Sequence, residues 1–183
     1  MPFDPAVLHR RSIRLQQYDY SRAGAYFVTI CTQNRECFFG EMVDGAMRLN
    51  AAGKVVEECW QSIPGHFPHV ELDEFVVMPN HVHGILVIGD AAENRAKGRA
   101  NDDSPLRNLP CGTSGTLGSM VRGFKIGVTK WMRQTHPIHE VWQRNYWEHI
   151  IRNEAEMEQI REYILNNPAR WELDQLHPEC RGE

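Results

Sequence analysis

Apolar and polar positions along this chain follow two periods, and the switches between them mark out its elements. Residues 25–32 are dense in β-branched and aromatic side chains and read as a strand. Two short runs, 37–41 and 46–49, flank Asp44-Gly45, a pair that favours a tight hairpin. After Asn50, a capping residue, the apolar positions Val55, Val56, Cys59, Trp60 and Ile63 recur at helical spacing until Pro64-Gly65 ends the run. Val70–Val77 alternates at first and then turns apolar, as a strand does on entering a core. Pro79-Asn80 turns the chain, and His81–Ile88 is the partner strand.

The second half begins without pattern. Residues 90–113 are Gly, Asn, Asp, Ser, Pro and Arg with hardly a core residue, and read as a flexible insertion. Leu117, Met120, Val121, Phe124, Val128 and Trp131 then define a helix whose opposite face carries Arg122, Lys125, Thr129 and Arg133. Val141-Trp142 reads as a short edge strand. A last helix begins near Glu154 and carries Ile160, Tyr163, Ile164 and Asn167 before Pro168 stops it. Residues 1–23 form a basic arm and 173–183 a polar tail. A hairpin and at least four strands interleaved with helices predict one α+β domain over 1–183, a ferredoxin-like antiparallel sheet with helices packed on one face.

Composition narrows the class without naming a function. The chain has 183 residues and a net charge of −4, with 42% hydrophobic residues, as ordinary globular domains do. No apolar stretch reaches the length of a membrane span, and the start lacks a secretory pattern, so the expected location is cytoplasmic. The 5 cysteines include no Cys-x-x-Cys pair, which argues against a disulfide framework or a zinc knuckle. Charge is segregated. His9, Arg10, Arg11, Arg14 and Arg22 make the arm basic, and no acid falls between Ser104 and His139, where Arg107, Arg122, Lys125, Lys130 and Arg133 lie. A basic path for a polyanion is compatible with that distribution despite the negative total.

Two spacings carry chemistry. His81 and His83 are separated by one residue on a strand, so both imidazoles point the same way, as half of a divalent-metal site would. The same triplet also describes an exposed, hydrogen-bonded pair. Tyr163 and Asn167 are four apart on a helix and share a face. Together they can supply a nucleophile and a third metal ligand, or a core residue and a helix cap.

Four ordered blocks resemble one known family. They are residues 60–86, which contain Met78-Pro79-Asn80-His81-Val82-His83-Gly84; 117–125; 142–152; and Tyr163-Ile164-Leu165-Asn166-Asn167-Pro168. Over residues 18–172 the chain resembles the single-tyrosine HUH (His-hydrophobic-His) DNA transposases, most closely the REP-associated tyrosine transposases. The resemblance implies a magnesium or manganese ion on His81, His83 and Asn167. It implies Tyr163 as the nucleophile, leaving a 5′-phosphotyrosine and a free 3′-hydroxyl during DNA transposition. The implied substrate is single-stranded or hairpin DNA, and the implied state a monomer or a homodimer. Arg122, Lys125, Lys130 and Arg133 are then expected to contact the backbone, and Trp147 or Tyr146 to stack an unpaired base. Tyr146 is the alternative nucleophile, and His149 reads as structural. Two other functions fit the same residues: a catalytically silent hairpin-DNA-binding module, and a metal hydrolase whose tyrosine is incidental.

Overall fold

The computed structural model describes residues 19–89, 115–136 and 138–178. Four strands form one sheet: β1 (Gly24–Cys31), β4 (Val70–Val77), β5 (His81–Ile88) and β6 (Trp147–Ile151). Their order is β4-β5-β1-β6, and every neighbouring pair is antiparallel. Between them come α1 (Ala51–Gln61), a short helical turn α2 (Ile63–His66) and α3 (Leu117–Thr135), and after β6 comes α4 (Glu154–Asn166). Strand, helix, strand, strand, helix, strand in that spatial order is the ferredoxin-like arrangement expected above.

The hairpin β2 (Gly40–Val43) and β3 (Ala46–Leu49) pairs separately. Its two-residue loop has positive φ at both Asp44 (52°) and Gly45 (74°), the conformation an Asp-Gly turn is suited to.

Alternation along the strands sorts side chains to two faces. On one face Tyr26, Val28, Ile30, Val82, Leu86 and Ile88 pack against α1 and α3, with Trp60 and Phe124 meeting edge to face at 5.4 Å. Gly84 lies on this face beneath Trp60. A Cβ there would stand 2.3 Å from a ring carbon of Trp60, so the close approach of α1 to the sheet requires glycine.

The other face carries Phe27, Ile85 and Ile151, covered by Ile164 of α4. Each such side chain contributes about 1.5–3 kcal/mol on burial, enough to dock a short helix. Asn153 Oδ1 accepts from Glu156 N at 2.9 Å, and Glu156 accepts in return from Arg152 N at 2.7 Å and from His149 at 2.7 Å. This reciprocal cap ties the start of α4 to β6.

Two elements differ from the sequence reading. Trp142 makes only an isolated bridge to Thr32, and the edge strand is Trp147–Ile151, too short and too uniformly bulky to show a period. Between the last helix and the tail at 173–183 the sequence reading gives no element, and Pro168–Leu173 forms a 3-10 turn there, with the Trp171 ring 6.0 Å from that of His81 on the sheet. Most of the N-terminal arm, the insertion at 90–113 and the last residues of the tail lie outside the described residues. Among the described residues no helix is long and apolar enough to cross a membrane.

Candidate active site

His81 and His83 project from β5 toward α4, and both are essentially buried. Their rings lie 4.5 Å apart between centroids. Each has one ring nitrogen already engaged. His81 Nδ1 is 2.8 Å from Asn80 Oδ1, and the Asn80 amide nitrogen donates to the carbonyls of Arg35 at 3.1 Å and Leu176 at 2.8 Å. That orientation presents an acceptor to His81, so the ring proton sits on Nδ1 and Nε2 keeps a lone pair. His83 Nδ1 meets Thr29 Oγ1 at 2.8 Å, and its Nε2 faces the Tyr163 hydroxyl at 3.2 Å. Anchoring one nitrogen so that the other is presented is what ligand histidines need.

Burial keeps both rings uncharged. The pKa of His81 is well below the usual imidazole range, from burial first and then from the neighbouring His83, partly opposed by Asn167. His83 is pushed down to about 3 by burial. Neutral imidazole is the form that binds a metal.

Tyr163 reaches the pair from α4. Its ring stands edge-on to Phe27 at 6.0 Å and to His83 at 5.2 Å. The residue is 43% exposed, while its hydroxyl is turned inward, and it is the hydroxyl's surroundings that count. Burial, and then the Asp174 carboxylate, push its pKa up to about 12, so it is a phenol at neutral pH.

Asn167, one turn on, is buried at 4% exposure and is the C-cap of α4. Spacing alone leaves Asn167 open as ligand or as cap. Its backbone serves as the cap, while its side chain faces His81 and Tyr163.

Asp174 completes the cluster, and the sequence reading misses it. Its Oδ2 is 3.9 Å from His81 Nε2. Ligand atoms of His81, His83 and Asp174 all lie within 4.8 Å of one another. Asp174 arrives because the 3-10 turn reverses the chain, and because Arg35 donates to Gln175 O at 2.9 Å while Asn80 holds Leu176. No local pattern in the sequence signals that return.

A cation fits this donor set. His81 Nε2, Asn167 Oδ1 and Asp174 Oδ2 are buried and have no hydrogen-bond partner among the described residues. Three orphaned buried acceptors converging beside His83 are costly unless something positive satisfies them. Two imidazoles with a carboxylate and an amide oxygen suit a divalent ion.

The cluster opens into a cleft of about 780 Å³. Trp147, half-buried, forms part of its wall with its ring edge-on to Phe27 at 5.5 Å and parallel to His149 at 5.9 Å. The basic residues of α3 are elsewhere. α3 covers the sheet face opposite the histidines, and Arg122, Lys130 and Arg133 are exposed on it. Lys125 is half-buried and donates to the carbonyls of Gln143 at 2.9 Å and Asn145 at 3.0 Å. Burial pulls its pKa down to about 8. It therefore braces the chain entering β6.

No family model matches the chain. An uncharacterized protein of Haemophilus influenzae is 52% identical over 178 residues, covering 96% of this chain and 97% of that one. The "Putative REP-associated tyrosine transposase" of the same organism is 24% identical over 174 residues, covering 90% of this chain and 86% of that one. A solved structure of a REP-associated tyrosine transposase bound to a REP hairpin superposes with a TM-score of 0.58 at 20% identity, over 88% of this chain and 76% of that chain. That likeness shows the fold.

Proposed function

From the premise that the chain is a relative of the REP-associated tyrosine transposases, alike in sequence and in fold, we propose that it nicks single-stranded or hairpin DNA and rejoins strands through Tyr163. The observation that carries this reading is the position of the Tyr163 hydroxyl, 3.2 Å from a histidine in a cluster of orphaned buried ligand atoms. A hydrolase activating water has no use for a phenol held there.

A magnesium or manganese ion on His81, His83, Asp174 and Asn167 would neutralise charge on a phosphate oxygen and orient the phosphodiester. The protein's own groups do the rest. Thr29 and Asn80 fix the two imidazoles. The Tyr163 oxygen attacks phosphorus in line, its proton is lost, the bond from phosphorus to the 3′-oxygen breaks, and that oxygen gains a proton. The product is a 5′-phosphotyrosine with a free 3′-hydroxyl, and a second 3′-hydroxyl reverses the step onto another strand.

Tyr163 meets His83 of its own chain, which supports cutting by a single copy. Trp147 lines the wall beside the nucleophile and would stack an unpaired base. Arg122, Lys130 and Arg133 would hold backbone on the far face, which suits a hairpin stem gripped apart from the strand being cut.

The test is a hairpin oligonucleotide with a single-stranded flank, labelled at its 3′ end and incubated with protein and manganese. A denaturant-resistant protein–DNA band is expected. Binding without cleavage would make the chain a silent hairpin-binding module, and cleavage without an adduct a metal hydrolase.

A further inference from the structure

We infer that Arg170 is a catalytic residue that grips the scissile phosphate, an assignment that rests on the nickase reading above. Among the described residues lining the cleft it is the only lysine or arginine. The basic helix α3 covers the opposite face of the sheet, and Lys125 is engaged by two carbonyls. Arg170 is thus the one arginine or lysine that the described residues of the cleft bring to the reacting strand.

Its placement follows from the helix. Tyr163, Asn167 and Arg170 stand at i, i+4 and i+7. Asn167 keeps helical angles (φ −59°, ψ −44°) and its carbonyl accepts from Arg170 N at 3.1 Å, so the face continues through the proline into the 3-10 turn. The nucleophile, the capping amide and the guanidinium therefore line one side of the cleft.

The guanidinium is available. Arg170 is exposed, and its side chain has no hydrogen bond or ion pair among the described residues. Arg161, on α4, is by contrast bound by Asp73, Glu154 and Glu158. Asp174 lies four residues on but turns its carboxylate to His81. As the Tyr163 oxygen bonds to phosphorus and the 3′-oxygen leaves, negative charge stays on the two non-bridging oxygens. A planar fork of N–H donors is matched to that pair.

Arg170→Ala and Arg170→Lys report on this at saturating DNA and manganese. Adduct formation should slow about a hundredfold in the alanine variant and recover in part with lysine, which keeps charge without the fork. A methylphosphonate, stepped along the strand, then removes one non-bridging oxygen and its charge at each position in turn. At the scissile position the gap between wild type and Arg170→Ala should close. In chelator, with no chemistry, one position should weaken binding of wild type and leave Arg170→Ala unchanged.

Equal adduct rates for wild type and Arg170→Ala would overturn the assignment. So would a gap that persists on the methylphosphonate, which would mean that Arg170 acts by shaping the turn. If wild type forms no adduct, the nickase reading fails, and the binding scan alone decides whether Arg170 holds a phosphate: no position selective for wild type overturns it.

Discussion

Arg161 grips Asp73 with two parallel hydrogen bonds, Nε to Oδ1 at 2.8 Å and Nη2 to Oδ2 at 2.6 Å. The pair joins α4 to the sheet edge β4, two residues before Tyr163, and both side chains are mostly shielded from water. Bidentate geometry makes it more than an ordinary surface ion pair. Asp73→Asn should lower stability by about 1 kcal/mol and slow adduct formation severalfold at saturating DNA, with affinity for DNA unchanged. Thermal melts and single-turnover assays check this. An unaltered rate would show that the apolar contacts of Ile164 hold the helix without help.

Tyr163→Phe removes one hydroxyl and keeps the ring that packs on Phe27. The covalent adduct should vanish while hairpin affinity stays within about twofold, since the ring is kept and only the hydroxyl that meets His83 is lost. Persistence of the adduct would move the nucleophile to Tyr146.

Metal binding should be measurable without DNA. Manganese should raise the melting temperature of the native protein, because ligands that bind only the folded state stabilise it. His81→Ala, His83→Ala and Asp174→Ala should each abolish that rise and abolish adduct formation, and the double histidine variant should be little worse than either single one. Asn167→Ala should have a smaller effect. In chelator, acid should unmask the histidines. Their folded pKa values are depressed, so below the ordinary value of 6.5 the unfolded chain takes up protons that the folded chain refuses. Their contribution is therefore full above pH 6.5 and is lost as pH falls from there toward about 3, where His83 itself titrates. The slope is about 1.4 kcal/mol per pH unit per histidine. Urea titrations at pH 7 and pH 5 should show it for wild type, and His83→Gln should flatten it.

Gly84→Ala should destabilise the fold by about 1–3 kcal/mol, since the added methyl would overlap the Trp60 ring. Urea unfolding is the check. A neutral result would mean that α1 can slide away from β5.

Replacing Arg122, Lys130 and Arg133 with Gln should weaken hairpin binding similarly for cognate and scrambled stems. The salt dependence should become shallower by about one unit of slope for each phosphate no longer neutralised. Adduct formation at saturating DNA should be spared, because these residues sit on the face away from Tyr163. An unchanged slope would place the stem elsewhere, with the N-terminal arginines next to be tested.

Much of the fold is legible in the residues because its elements announce themselves locally. Asn50 and the 3.6-residue spacing mark α1, Asp44-Gly45 marks the hairpin, and the apolar run after His83 marks the central strand. The histidine pair is legible for the same reason: two residues on one strand are placed by a single alternation. What stays hidden depends on the chain turning back. Asp174 comes to His81 only through a 3-10 turn whose exit is fastened from far away, Leu176 by Asn80 across 96 positions and Gln175 by Arg35 across 140. Lys125 looks like a phosphate contact on a helical wheel, and only packing shows it holding the carbonyls ahead of β6. β6 is obscured by its own brevity.

The order in which the chain contributes its groups has a consequence for how such a protein can change over generations. The four-stranded sheet and its α1–α3 layer are complete by Ile151, and the histidines with their Thr29 and Asn80 supports are already in place. Tyr163, Asn167, Arg170 and Asp174 all follow, within one short segment laid on the other face. On the proposed function, side-chain changes confined to that last segment would remove the nucleophile, the guanidinium and two oxygen donors together, while the α3 surface lies on the opposite face of the sheet. If the chain cuts and captures DNA as proposed, loss of cutting and loss of capture would be separate genetic events, and a lineage could shed the first while keeping the second.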